Sequence, residues 1–212
     1  MLNRRWMMRQ IVSAEAEDIP PEGGRFVKSL NSDGSSWIVT DFYPDSETVF
    51  TFRFNKTSWY KGYENFFGAA GYQFRLQRNA SSGTSILVDL YGLRIANIVW
   101  TPSGDHVFVF DCPTASFTID NGSYKKTGTP VSEYVKLEYP LLLFAMGKNT
   151  KKPTEPDSPG KFKLYEASVK QNGVLTHKWR PAIDGNGVAC LYDTVTQKCL
   201  YNAGTGTFTF DE

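Results

Sequence analysis

Cysteine, histidine and net charge are all scarce in this chain, and each shortage closes off a class of function. The three cysteines among 212 residues, Cys112, Cys190 and Cys199, form an odd set with no CxxC spacing. That argues against both a disulfide scaffold and a thiolate zinc site, and suits synthesis in a reducing compartment. Cys190 and Cys199 flank an expected hairpin turn near residues 194–197, so they are expected as neighbours across a strand pair, as thiols more than as an isolated bridge. A formal net charge of +1, from 23 basic and 22 acidic residues, leaves no overall field to draw the chain onto nucleic acid or anionic membrane. The longest apolar run, residues 139–146, is strand-sized and far too short to cross a bilayer. The first 19 residues never build the apolar stretch of a secretory signal, because Arg9, Gln10, Glu15, Glu17 and Asp18 interrupt it.

Catalytic motifs are equally thin. There are two histidines, His106 and His177, and no GxSxG nucleophile elbow. Carboxylates two residues apart share a face only on a strand, and here they fall elsewhere. Glu15 and Glu17 lie in the N-terminal segment, and Asp45 and Glu47 in a turn. Glu155 and Asp157 lie in the Pro- and charge-rich residues 148–160, expected as a long, exposed, mobile loop. With no nucleophile, base or acid pair to place, a non-enzymatic role is expected.

What the chain does have is aromatic residues, 15% of the total, with 18 glycines and 11 prolines. This mixture favours many short strands and tight turns over long helices. Residues 14–24 run acidic, then Pro-Pro, then Gly-Gly, which divides an N-terminal arm, residues 1–24, from a single β domain, residues 25–212. The arm carries Arg4, Arg5 and Arg9 around Trp6, a candidate anchor to an assembly. Beyond it, about a dozen short runs bounded by Gly, Asn or Asp recur at the spacing of a sandwich. Residues 37–40 read as a strand with Trp37 and Val39 buried, and residues 134–139 as another. TVFTFRFN, residues 48–55, alternates strictly and puts Phe50, Phe52 and Phe54 on one face. SFTIDNG is a hairpin entry, and LLLFAMG a buried strand.

Read in order, the C-terminal third carries a pattern: KLYE at residues 163–166, QNG at 171–173, WRPA at 179–182, DGNGV at 184–188, LYD at 191–193 and NAGTGTF at 202–208. The pattern resembles the concanavalin A-like, laminin G-like jelly-roll domains of bacteriophage structural proteins and gut-bacterial surface proteins, over residues 25–212. Within it, Gly185, Gly187, Gly204 and Gly206 are expected to take backbone angles closed to side chains, and Pro181 to break a strand before the DGNG turn. The resemblance implies an all-β, two-sheet antiparallel jelly-roll sandwich. It also implies a virion-associated tail, fibre or capsid-decoration protein that adheres to glycans or to other virion proteins, trimeric if fibre-like and located in the virion. A soluble bacterial carbohydrate-binding module is the first alternative, and a glycoside hydrolase of the same fold the second.

Calcium is a further implication of the family, with Asp184 and Asn186, or Asp120 and Asn121, as candidate oxygen ligands; turn formation explains both pairs as well. The residues themselves point to one candidate sugar site. Trp59, Tyr60, Tyr63, Glu64 and Asn65 combine rings that stack on sugar faces with polar side chains for hydroxyls, interrupted by Gly62 as in a loop. The competing reading has Trp59, Tyr63 and Phe66 plugging the edge of the core, while Trp100 and Trp179 are expected inside it.

Overall fold

A computed structural model describes residues 18–60, 62–79, 85–90, 93–120, 124–129 and 135–212. The arm residues Arg4, Arg5, Trp6 and Arg9, and Asn121 of the expected hairpin turn, lie outside them. The described chain folds as an all-β sandwich of two sheets, antiparallel apart from single parallel bridges at Met146–Gly68 and Asn65–Pro159. The larger sheet runs in the order Tyr124–Thr127, Ser116–Ile119, Gly104–Asp111, Thr48–Lys56, Lys163–Gln171, Val174–Ile183, Ala189–Asp193, Lys198–Leu200. The smaller runs Lys152–Asp157, Met146–Asn149, Glu64–Ala69, Phe74–Asn79, Ser85–Leu90, Leu93–Val99, with Leu142–Leu143 and Ile38–Val39 beside Glu64–Ala69.

The alternation of TVFTFRFN decides where the sheets meet. Phe50, Phe52 and Phe54 are all fully buried, while Arg53 on the opposite face is exposed. Phe50 meets Phe67 of the other sheet edge-on at 4.8 Å, and Phe52 meets it at 5.3 Å. Phe110, from the neighbouring strand, reaches Phe67 at 5.0 Å and Phe74 at 5.6 Å. These are the tilted, centroid-offset contacts that ring quadrupoles favour. Trp179 and Trp100 join the same core, as expected.

Turn chemistry was legible as well. Asn172 and Gly173 both take positive φ, 50° and 76°, between Gln171 and its partner Val174. That is a two-residue hairpin with left-handed central residues, the turn whose twist matches that of its strands. Ser116–Ile119 pairs with Tyr124–Thr127, and Asp120 after it takes φ 47°. Cys190 and Cys199 sit on adjacent strands as free thiols, with Tyr192 opposite Cys199.

Several expectations are corrected. Ile38, not Trp37 or Val39, is the fully buried residue of its short strand, so the face is the reverse of the one expected; Trp37 packs on the core from the rim. Residues 135–139 form no strand and make a lone bridge from Lys136 to Asp45. The apolar LLLFAMG is two short strands, broken at Phe144, whose φ of 66° turns the chain. Residues 148–160 are not a structureless loop: Lys152–Asp157 pairs with Met146–Asn149 at the edge of the smaller sheet, where Pro153 and Pro156 are tolerated for want of a further strand. Pro181 does not end its strand, which runs on to Ile183 opposite Ala189. Of the turn glycines, Gly187 takes positive φ, but Gly204 and Gly206 are needed for close approach, since a Cβ on either would lie 2.2 Å from Ser35. The chain is tied to the sandwich from Asp18 onward, through Lys178 at 2.7 Å and Arg180 at 3.1 Å.

Because Phe52 has no exposed surface and touches rings from both sheets, Phe52→Ala is expected to lower unfolding free energy by about 3–5 kcal/mol. Urea denaturation followed by tryptophan fluorescence measures this; a loss under about 1 kcal/mol would mean the rings repack freely.

Candidate functional site

Strand geometry explains why polar side chains gather on one outer surface. Phe74 and Leu76 point into the core, so Arg75 and Gln77 point outward, as do Leu87 and Asp89 between Ile86, Val88 and Leu90. Outward residues of a sandwich are ordinarily wet, yet Arg75, Gln77 and Asp89 are only 5%, 4% and 3% exposed. Arg75 and Gln77, with Leu87, form the floor of a cleft of about 460 Å³ whose rim includes Tyr63, Tyr72, Asn79, Asp157 and Ser158; Asp89 backs the floor through Arg75.

The floor is cross-linked. Arg75 lies directly opposite Asp89 in the strand register and donates from Nε to its Oδ2 at 2.5 Å; its Nη1 donates to Gln77 Oε1 at 2.7 Å. Its Nη2 makes no hydrogen bond among the described residues, although Arg75 lines the cleft. The guanidinium carbon sits 4.2 Å from the Tyr72 ring centre, a cation–π contact that holds both groups. Tyr63 and Tyr72 are 46% and 50% exposed. The cleft thus sets two half-exposed tyrosine rings around an immobilised arginine and amide floor, with the arginine charge balanced by Asp89.

The segment singled out in the sequence is divided by the structure. Tyr63 borders this cleft, whereas Trp59 and Tyr60 line a second one of about 590 Å³. Trp59 is half-buried, edge-on to Trp100 at 5.5 Å, with Arg78 4.8 Å from its ring centre, and Phe66 belongs to the core, so the plug reading holds for those two. Glu64 and Asn65 are buried struts. Glu64 pairs with Lys56 Nζ at 2.9 Å and accepts the Tyr60 N–H at 2.9 Å, while Asn65 Nδ2 donates to the Asp157 carbonyl at 2.8 Å. Burial pulls the Lys56 ammonium below the usual lysine range, opposed by Glu64. Tyr72, Arg75, Gln77 and Asp89 escaped the sequence reading; the only trace was polar alternation in FRLQRN and SILVDL, without the register that joins them.

Asp184 and Asn186 come together in a turn. Asp184 Oδ1 accepts the N–H groups of Asn186 at 2.9 Å and Val188 at 2.8 Å, and Oδ2 accepts the Tyr201 hydroxyl at 2.8 Å. These donors, the Val188 N–H first, hold its carboxyl below the ordinary aspartate range. No three His, Cys, Asp or Glu side chains gather in a metal-ligating group among the described residues. Both histidines are tied to carboxylates. His106 Nδ1 lies 2.8 Å from Asp120 while its Nε2 accepts the Ser103 N–H at 3.3 Å, and His177 Nδ1 lies 2.7 Å from Asp193. Asp193 also takes N–H bonds from Lys178 and Val195, which makes it a turn hub. A broader groove of about 750 Å³ on the other sheet, beside Asp18, Glu166 and Lys178, has no aromatic ring among its described lining residues.

No protein-family model matches the chain, and no curated protein matches it in sequence. Among solved structures it is similar to one from Bacteroides ovatus ATCC 8483, described as a candidate carbohydrate-binding protein. The TM-score is 0.50 at 14% identity, over 89% of this chain and 61% of that one. At this identity the similarity concerns the fold alone, and the chain spans less than two thirds of that protein.

Since the folded Asp184 carboxyl is depressed, its contribution to stability is present above the unfolded value near pH ~3.9 and is lost as pH falls through the lower folded value. Asp184→Asn is therefore expected to flatten the acid limb of a urea-midpoint profile. Calcium is expected to leave the melting temperature unchanged, because three donors already engage the carboxylate and no group of three His, Cys, Asp or Glu side chains forms there among the described residues; a calcium-dependent rise lost in Asp184→Asn would put a cation there instead.

Proposed function

We propose that the protein binds carbohydrate, in the cleft between Tyr63 and Tyr72. The observation that carries this reading is the buried outward-facing Arg75–Gln77–Asp89 network beneath two half-exposed rings. A pyranose ring has an apolar face that stacks on an aromatic ring and hydroxyls at its edge that need donors and acceptors at fixed positions. Tyr63 and Tyr72 supply the first. Arg75 Nη2 and Asn79 on one strand, and Asp157 and Ser158 at the end of the edge strand, supply the second; Arg75 is already held in place, so little of its side-chain entropy is lost on binding.

The charge pairing of Arg75 with Asp89 suits a neutral sugar at this position. The lectin-like relationship suggested by the KLYE-to-NAGTGTF pattern and the fold shared with the Bacteroides ovatus protein support the same class. Binding without hydrolysis is the form we favour, because Asp89 is committed to Arg75 and the one carboxylate pair that the described strands do carry two residues apart is engaged as well, Glu155 with Lys152 at 2.6 Å and Asp157 with the Ser158 hydroxyl at 2.9 Å.

Tyr63→Ala and Tyr72→Ala are each expected to weaken neutral-glycan binding about tenfold, the effect of losing one ring contact worth roughly 1.4 kcal/mol. Gln77→Ala should loosen Arg75 and weaken binding further, with melting curves confirming that each variant folds. A glycan array followed by titration calorimetry on the best hit measures this. Unaltered affinity in both tyrosine variants would exclude the cleft, and sugar released from the bound glycan would replace binding with hydrolysis.

A further inference from the structure

The second cleft, on the other side of the segment that holds Tyr63, has a different electrostatic character. It is lined by three lysines, Lys56, Lys161 and Lys163, and by Asp33. Two of the lysines are neutralised within the fold: Lys56 by Glu64 at 2.9 Å and Lys163 by Asp211 at 2.6 Å. Asp33 is committed to its own turn, where Oδ1 accepts the Ser35 N–H and hydroxyl, both at 2.8 Å, and the Ser36 hydroxyl at 3.1 Å. Lys161 is left without a carboxylate partner among the described residues; its Nζ stands 5.5 Å from the centre of the Tyr60 ring.

The same cleft has an organised interior. Lys56 is 3% exposed and has three N–H donors; one goes to Glu64 and a second to the Lys161 carbonyl at 2.8 Å. The third has no acceptor among the described residues, and Lys56 lines the cleft. Tyr60 is half exposed, but its position is set from behind. Gly34 approaches so closely, with φ of 92°, that a Cβ there would fall 2.5 Å from Tyr60 Cε1. The Tyr60 N–H is held by Glu64, the carboxylate that also anchors Lys56. A fixed aromatic plate with an uncompensated cation over its ring therefore lines the same cleft as a buried ammonium with a spare donor.

We infer that this cleft is a second glycan-binding site, selective for acidic sugars, in which a ring stacks on Tyr60, its carboxylate or sulfate meets Lys161, and a hydroxyl accepts from Lys56. The inference extends the carbohydrate reading above but uses none of the residues of the first cleft except the shared loop. It makes the domain bivalent, with a charge-balanced site for neutral units and a cationic site for uronate or sulfate units. Attraction to Lys161, an exposed charge, falls with ionic strength, whereas stacking in the first cleft does not.

The test is titration of the full chain with a short oligogalacturonate, a sulfated galactan fragment and the matching neutral galactan, at low and at high salt. The acidic ligands are expected to bind with a salt-sensitive affinity reduced about tenfold by Lys161→Ala and by Tyr60→Ala. Gly34→Ala, which pushes on the ring without touching ligand, should reduce it too. Lys161→Ala should leave binding of the neutral glycan found for the first cleft unchanged. A preference between uronate and sulfate names the group. If no acidic glycan binds the wild type, or if folded Lys161→Ala and Tyr60→Ala variants bind it as tightly as wild type, the second site is overturned, whatever happens to neutral binding. Loss of neutral binding alone in the Tyr63 and Tyr72 variants keeps the two sites separate.

Discussion

The phenylalanine face of Thr48–Lys56 is the contact on which both sheets are assembled. Phe50, Phe52 and Phe54 project from the middle of the larger sheet, and rings from the smaller sheet, Phe66, Phe67 and Phe74, close over them. Burial of a ring of this size contributes on the order of 2–3 kcal/mol, so this seam alone outweighs any single ion pair on the surface. It also fixes register. A shift of one residue would turn the phenylalanines to solvent and Arg53 to the core, so the strand has one acceptable pairing.

The outer surface inherits its order from that register. Once Phe74 and Leu76 are committed inward, Arg75 and Gln77 have no choice but to face out, and Asp89 is delivered opposite Arg75 by the same constraint on Ile86, Val88 and Leu90. A buried ion pair of this kind is weak evidence for stability, because desolvation consumes much of the Coulombic gain. Its value lies in geometry: the guanidinium is held in one orientation, and the tyrosine above it is held with it. The same logic governs the other cleft, where Glu64 ties Lys56 and the Tyr60 backbone to one point.

The edge of the smaller sheet shows how composition misleads. Residues 148–160 are polar and proline-rich, which reads as loop; their pairing as an edge hairpin needs only one ladder, and proline costs nothing on the side that faces no neighbour. The hairpin brings Asp157 and Ser158 to the rim of the first cleft, so a segment expected as a mobile loop contributes to it. The apolar LLLFAMG misled in the opposite sense, since uniform burial carries no periodicity and could not reveal the reversal at Phe144.

The sequence by itself determined the all-β class, the buried phenylalanine face, the Asn172–Gly173 turn and the interior positions of Trp100 and Trp179. Each of these rests on local periodicity or on residue types with few backbone options. It also marked Trp59 to Asn65 as chemically unusual. Only the tertiary structure decided that this segment separates two clefts, that Glu64 and Asn65 are buried and hydrogen-bonded within the fold, and that Arg75, Gln77 and Asp89 meet at all. Their meeting depends on which strands pair and in which register. That is settled by the packing of rings distant in sequence, and no local pattern records it.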